Sequence, residues 1–210
     1  MTPRQLLEAH RNEIFEDVDG FEYEMELEPG LSNEEIRELE EQLPGPLPGE
    51  IRELLEYTGG VHGLFWETLD FRGGLPRGLE SAFPHGLGIA HDGTGNYCTV
   101  DVDPETGAWG AVYYVCHDPP VVSFIADEFA DFLEATLSYV RSACTDRENP
   151  IHLASREMPF EIDGSDTHLI SLAKARSSGD PALRNFADQL ESRFDIRDLR
   201  DAEAGAGFEW

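Results

Sequence analysis

The side chains of this sequence able to do chemistry are seven histidines, three cysteines and 43 carboxylates, and their spacing decides which reactions are open to them. Cys116 and His117 are adjacent on a predicted strand. Successive strand side chains point to opposite faces, so this pair cannot serve as nucleophile and base or as joint metal ligands. His85 and His91 are six positions apart on one predicted strand, too far for a single metal ion without a bend. Cys98, Cys116 and Cys144 are odd in number and scattered, without the paired spacing of a zinc site or a disulfide framework, and they read as buried thiols. Gly86-Leu87-Gly88 lacks the third glycine of a dinucleotide loop, and no P-loop lysine and hydroxyl pair follows a glycine-rich turn. Asp92-Gly93-Thr94-Gly95-Asn96 departs from the EF-hand order of oxygen ligands at positions 1, 3 and 5 with glycine at 6, and reads as a turn. Asp101 and Asp103 share a face that would attract a divalent ion, but a solvated acidic strand end is the commoner arrangement. The sequence therefore predicts no catalytic residue, no metal site and no cofactor.

What the carboxylates do collectively is set charge. The formal net charge is -28, with 43 acidic against 15 basic residues, all but one of the latter arginine. Residues 1–145 hold 29 acids and 7 bases, and residues 146–210 hold 14 and 8, so the excess lies mostly in the first part. Direct binding of nucleic acid is disfavoured, because it depends on Lys and Arg neutralising phosphates. Two readings of the acidity stay open: solubility alone, or attraction of a basic partner. No apolar run approaches the roughly 20 residues of a membrane helix, and MTPRQLLEAH is neither a signal peptide nor a basic transit segment, so a cytoplasmic location is expected.

The elements that position these groups follow from periodicity. Leu6, Leu7, His10 and Ile14 have helical spacing and predict a first helix over Pro3 to Phe15. In FEYEMELE, Phe21, Tyr23, Met25 and Leu27 alternate with Glu22, Glu24, Glu26 and Glu28, predicting one half-buried strand. Its row of carboxylates is either charge protection of a sheet edge or a wall of an acidic binding surface. Ser32 with Glu35 forms a capping box for a helix burying Ile36, Leu39 and Leu43. Pro48 opens a second helix with Ile51, Leu54 and Leu55 inward, ended by Thr58-Gly59-Gly60. A strand is predicted in Leu64 to Phe71, with Trp66 in the core. Residues 86–125 read as a meander: Cys98, Val100 and Val102 on the core side, Tyr97, Thr99, Asp101 and Asp103 on the polar side, and Trp109 exposed beyond the Asp103–Gly107 turn. Asp127 caps a closing helix that buries Phe129, Phe132, Leu133, Leu137 and Val140 across the sheet. The tail shows helical spacing at Leu169, Leu172 and Ala173 and at Leu183, Phe186, Ala187, Leu190 and Phe194, and Ala202 to Gly207 is expected to be mobile.

Three segments carry a resemblance: LPGEIRELLEYTGG, then LGIAHDGTGNYCTVDVDPETGAWGAVYYVCHD with its Asp-Gly-x-Gly-Asn turn, then SFIADEFADFLEATL. In this order they resemble the SMI1/KNR4 family, or SUKH superfamily, over roughly residues 25–140. The fold class is accordingly α+β, a mostly antiparallel twisted sheet with helices packed on it and a mainly helical C-terminal extension. The expected organisation is an N-terminal helix over 1–20, the family-like domain over 21–142, and an extension over 143–210 packed on that domain. The resemblance implies, for a bacterial member, an immunity protein that neutralises a toxin, often nucleic-acid-directed. The alternative it implies is a regulatory scaffold linked to cell-wall synthesis or signalling. The candidate contacts for a basic protein partner are Asp70, Asp92, Asn96, Asp101, Asp103, Glu105, Trp109 and Asp118, chosen because they fall on the meander's turns and polar face.

Overall fold

The computed structural model describes residues 1–43, 45–73, 83–117, 120–155, 169–189, 195–197, 204 and 207–209. Asp118, Pro44, Leu190, Phe194 and most of the 202–207 segment named above lie outside these residues. Helix α1 (Pro3–His10) starts from a capping box: Thr2 Oγ1 accepts from Gln5 N, and the Gln5 side chain accepts from Thr2 N at 3.1 Å. It ends sooner than the spacing predicts. Ile14 belongs instead to strand β1 (Ile14–Glu16), paired antiparallel with β2 (Glu22–Glu24). Asp17 and Gly20 supply the turn that makes this possible: Asp17 Oδ1 accepts from Asp19 N and Phe21 N, each at 2.9 Å, and Gly20 takes φ +83°.

The predicted FEYEMELE strand is thereby split. β2 belongs to this hairpin, whereas β3 (Glu26–Leu27) joins the main sheet as its outermost strand. Glu26 therefore does guard an edge. Helix α2 (Asn33–Glu40) carries the expected capping box between Ser32 and Glu35. Helix α3 (Gly49–Tyr57) follows Pro48 and buries Ile51, Leu54 and Leu55. Then come β4 (Gly60–His62), β5 (Thr68–Asp70), β6 (Leu87–His91), β7 (Tyr97–Val102), β8 (Trp109–His117) and β9 (Pro120–Ala126). From β3 to β9 each strand pairs antiparallel with the next in sequence. The predicted strand at Leu64 to Phe71 is confined to β5, and His85 precedes β6 rather than lying within it.

Helix α4 (Phe129–Arg141) closes the sheet. Its N-cap is Glu128 without a side-chain cap bond, not Asp127, because β9 runs on to Ala126 and moves the helix start by one residue. The buried stripe falls as predicted, with Phe132, Leu133 and Val140 fully enclosed. Trp66, on the loop between β4 and β5, is 1% exposed and sits 6.0 Å from the Phe132 ring and 6.1 Å from that of Tyr114. Its Nε1–H donates to Thr136 Oγ1 at 3.2 Å, which satisfies a donor that burial would otherwise strand. Asn149 ties α5 (Pro150–Ser155) to α4: its Nδ2 donates to the Ala135 carbonyl at 3.1 Å while its Oδ1 accepts from Ile151 N.

The tail adds β10 (Leu169–Ser171), α6 (Leu172–Arg176), α7 (Pro181–Gln189), β11 (Asp195–Arg197) and β12 (Gly207–Glu209). The sequence pattern signalled the helices but none of these strands. β10 pairs with β11, and β12 pairs antiparallel with β9, making the eighth strand of the main sheet.

Replacing Phe132 with Ala is expected to cost about 3–5 kcal/mol, since a cavity would open between α4 and the sheet. Glu134, exposed on the opposite face of α4, is expected to tolerate Ala within about 0.5 kcal/mol. Urea denaturation of the two variants checks the helix phase, and equal destabilisation would refute it.

Candidate functional site

The loop between β6 and β7 is built around one carboxylate. Asp92 Oδ1 accepts from Thr94 N and Thr94 Oγ1, each at 2.9 Å, and from Asn96 N at 3.2 Å. Its Oδ2 accepts from Asn96 Nδ2 at 2.7 Å and from the Tyr114 hydroxyl at 3.1 Å. Asn96 Oδ1 in turn accepts from His117 N at 3.1 Å and lies 2.8 Å from His117 Nδ1. Burial works to raise the Asp92 carboxyl, but the hydrogen bonds from Thr94 and Asn96 outweigh it and hold the group below its ordinary range. Burial and the neighbouring Asp92 push the Tyr114 phenol up. Asp92 and Asn96 thus spend their hydrogen-bonding capacity inside the fold, joining the β6–β7 loop to β8.

The other hairpin loop follows the same logic, with two neighbouring carboxylates left open. Asp103 Oδ1 accepts from Glu105 N, Thr106 N and Thr106 Oγ1 at 2.7–2.9 Å, and these bonds lower its pKa. Asp101 and Glu105 make no such structure and are exposed. Withheld water around the Asp101 carboxyl raises its pKa although the residue as a whole is exposed; His85 pulls the other way, and Asp103 adds to the rise. Gly107 has φ +72°, and a Cβ there would collide with the Pro46 carbonyl, so the segment before α3 rests directly on this turn.

Trp109 corrects the expectation of an exposed aromatic. It is 7% exposed and lies edge-on to Phe129 at 5.1 Å. The cause is a bulge. Val100 pairs with Val112, but Val102 pairs with Trp109, so Gly110 and Ala111 together oppose Asp101. The extra residue reverses the alternation, and Trp109 joins Val112 on the core side. It packs in the core.

Asp70, at the end of β5, is held by Arg72, whose Nε donates to Oδ1 at 2.8 Å and Nη2 to Oδ2 at 3.1 Å. Arg72 Nη2 also lies 3.0 Å from Glu28 Oε2, and the other Glu28 oxygen lies 3.0 Å from His62 Nε2. The hydrogen bond to Asp70, with the charges of Asp70, Glu28 and Glu35, keeps the Arg72 guanidinium firmly protonated. Sequence reasoning missed this ion cluster, because nothing local links Glu28 to Arg72. It borders an open groove of about 450 Å³ beside α2, lined by Leu31, Glu35, Glu38 and Leu39 as well as Glu28 and Arg72.

The candidates are therefore not one patch. Asp92 and Asn96 lie at one end of β7, and Asp101, Asp103 and Glu105 at the other, which for a six-residue strand is a separation of about 17–20 Å. The face between them is not a polar surface either: Thr99 is 4% exposed, and Tyr113, Val115, Val122 and Phe124 form a second apolar cluster there. Asp118 lies outside the described residues. Among the described residues no group of three His, Cys, Asp or Glu is arranged to hold a metal ion, and no helix is long and apolar enough to cross a membrane.

A consecutive antiparallel meander, closed by one helix and edged by acidic helices and turns, defines an α+β sheet-and-helix protein. Residues 30–135 match the SMI1 / KNR4 family (SUKH-1), and the chain belongs to that family. It matches none of the curated proteins with which it was compared.

Two substitutions test the loop architecture. Asp92→Asn is expected to lose about 1–3 kcal/mol at neutral pH, the cost of leaving buried donors unpaired. Because the folded-state pKa of Asp92 is lowered, its contribution is present above the unfolded value near 4 and is lost as pH falls through the folded value, so the gap between wild type and variant should close in acid. Denaturation at pH 7 and pH 3 measures it. Gly107→Ala should cost more than the ~1–2 kcal/mol of a left-handed alanine, because the Pro46 carbonyl must also move. Gly49→Ala, with open space around its new methyl, should cost nothing.

Proposed function

We infer that this protein is a cytoplasmic binding protein without chemistry of its own, which neutralises a basic, nucleic-acid-directed protein toxin by covering it with an acidic surface. The observation that carries this reading is the charge excess, 29 acids against 7 bases within residues 1–145, in a chain of the SMI1 / KNR4 family. Much of that charge is presented outward: Glu34, Glu35 and Glu38 on α2 and Glu50, Glu53 and Glu56 on α3 are exposed. A toxin that grips phosphates must concentrate Lys and Arg at its active site. An acidic protein is drawn to such a cleft at long range and blocks it on arrival, and complementary fields raise association rates well above the neutral 10⁵–10⁶ M⁻¹s⁻¹. The acidity that favours this partner disfavours nucleic acid itself.

The test pairs the protein with the toxin encoded beside its gene. Co-expression is expected to restore growth to cells making that toxin, and the association rate measured by stopped flow should fall by about tenfold or more as the Debye length shrinks from about 30 Å to about 3 Å with added salt. Absence of protection, or an association rate indifferent to salt, would overturn the reading.

A further inference from the structure

Among the described residues four large apolar side chains stand exposed, and three of them, Ile14 (58%), Val18 (71%) and Phe21 (69%), fall within the β1–β2 hairpin. The fourth is Met1. An apolar group left in water gains nothing for the fold, and three on one hairpin, Val18 and Phe21 at its turn and Ile14 at the start of β1, make it a surface suited to burial against a partner. Around them stand Glu16, Asp19, Glu22 and Glu24, all exposed.

The charges are arranged against the hairpin's own stability. Glu16 is directly opposite Glu22 in the antiparallel register, and Glu24 is opposite Ile14. Like charges directly across a strand pair destabilise it. Among the described residues no cation pairs with Glu16, Glu22 or Glu24. A cationic side chain arriving from outside would relieve that repulsion while its neighbouring apolar group covered Phe21 and Val18.

The tip is also held ready. Asp17 bonds to the backbone of Asp19 and Phe21, and Asp17 N donates to the Phe21 carbonyl at 3.0 Å. At the base, Phe15 is 2% exposed in the core and its ring lies 5.9 Å from that of Tyr23. Arg141 of α4 grips both oxygens of Glu13, at 2.7 and 2.9 Å, just before β1. A surface fixed before binding loses little conformational entropy on binding.

We propose that the β1–β2 hairpin is the anchor by which this protein docks on its partner, a basic protein surface that offers Lys or Arg to the Glu16–Glu22 pair and an apolar pocket to Val18 and Phe21. This rests on the reading of a basic partner and names the face that meets it. The charge complementarity also argues against a second copy of this chain, whose hairpin would bring the same carboxylates.

Two blocked synthetic peptides of equal charge serve as probes, one alternating Arg with Leu and one alternating Arg with Ser, titrated at moderate salt by calorimetry and sedimentation. The Arg/Leu peptide is expected to bind about fivefold or more tightly than the Arg/Ser peptide, the size of an interface anchor's contribution. Val18→Ser with Phe21→Ser should abolish that preference while both peptides keep their salt-dependent binding. The triple change Asp101→Lys, Asp103→Lys, Glu105→Lys, at the far turn, should leave the preference intact. A preference that survives the hairpin variant, or that is lost with the turn variant instead, overturns the hairpin as anchor and leaves the basic-partner reading standing. Failure of the wild-type protein to bind either peptide removes both. Dimers that the hairpin variant dissolves would make a second copy the occupant and overturn the proposal.

Discussion

The contact on which the rest depends is the aromatic seam between α4 and the meander. Phe129 lies among Trp109, Phe71 and Phe132 at ring separations of 5.1, 5.7 and 6.1 Å, and Trp66 bridges Phe132 to Tyr114. These six rings come from four parts of the chain: the β4–β5 loop, the residue just after β5, the start and middle of β8, and α4. Removing their surface from water is the main return for ordering the seven strands of the meander, whose pairings alone would leave one face wet. Everything discussed as surface is placed by that packing. The β6–β7 and β7–β8 loops are held apart by β7, which pairs with the β8 strand that packs on α4, and the β1–β2 hairpin is pinned to the same helix through Arg141.

Local rules with a strong physical cause were legible in the sequence. The Ser32–Glu35 capping box, the Pro48 opening of α3, the phase of α4 and the meander's alternation all arise from interactions between residues a few positions apart. What escaped depends on register and on distant partners. One extra residue at Gly110–Ala111 turns Trp109 from the solvent side to the core, and no periodicity count shows a bulge in advance. Ile14 fits a helical pattern by coincidence; the Asp17–Gly20 turn decides for a hairpin, because its hydrogen bonds pair Phe15 with Tyr23. Glu28 meets Arg72 only after β3 and β5 have found their places beside β4. The candidate contacts do not form one patch for the same reason: they were chosen by proximity along the chain, and a strand places its two ends far apart.

The carboxylates divide into two populations that composition alone cannot separate. Asp17, Asp92 and Asp103 each bond to backbone N–H groups within their own turn, so these acids are structural and their charge is largely committed inward. Most of those on α2, α3 and the outer face of β1 and β2 are exposed and accept little from the fold, apart from Glu35 in its capping box, Glu34 beside Arg37 and Glu40 beside Arg52. Only the second population is free to act on another molecule. A negative net charge of this size therefore overstates the surface available to a partner, while the hairpin, with apolar groups set among unpaired acids, concentrates it.

The pairing of β12 with β9 has a consequence for how the molecule is made. β9 leaves the ribosome with one edge joined to β8 and the other open, and the strand that covers it is some eighty residues further along. During synthesis the nascent sheet would therefore present a bare template to any neighbouring chain, at the stage when intermediates are most prone to mispair. That edge cannot be sealed before residues 207–209 have been made, so the stretch of chain between β9 and β12 sets the interval during which it stands open.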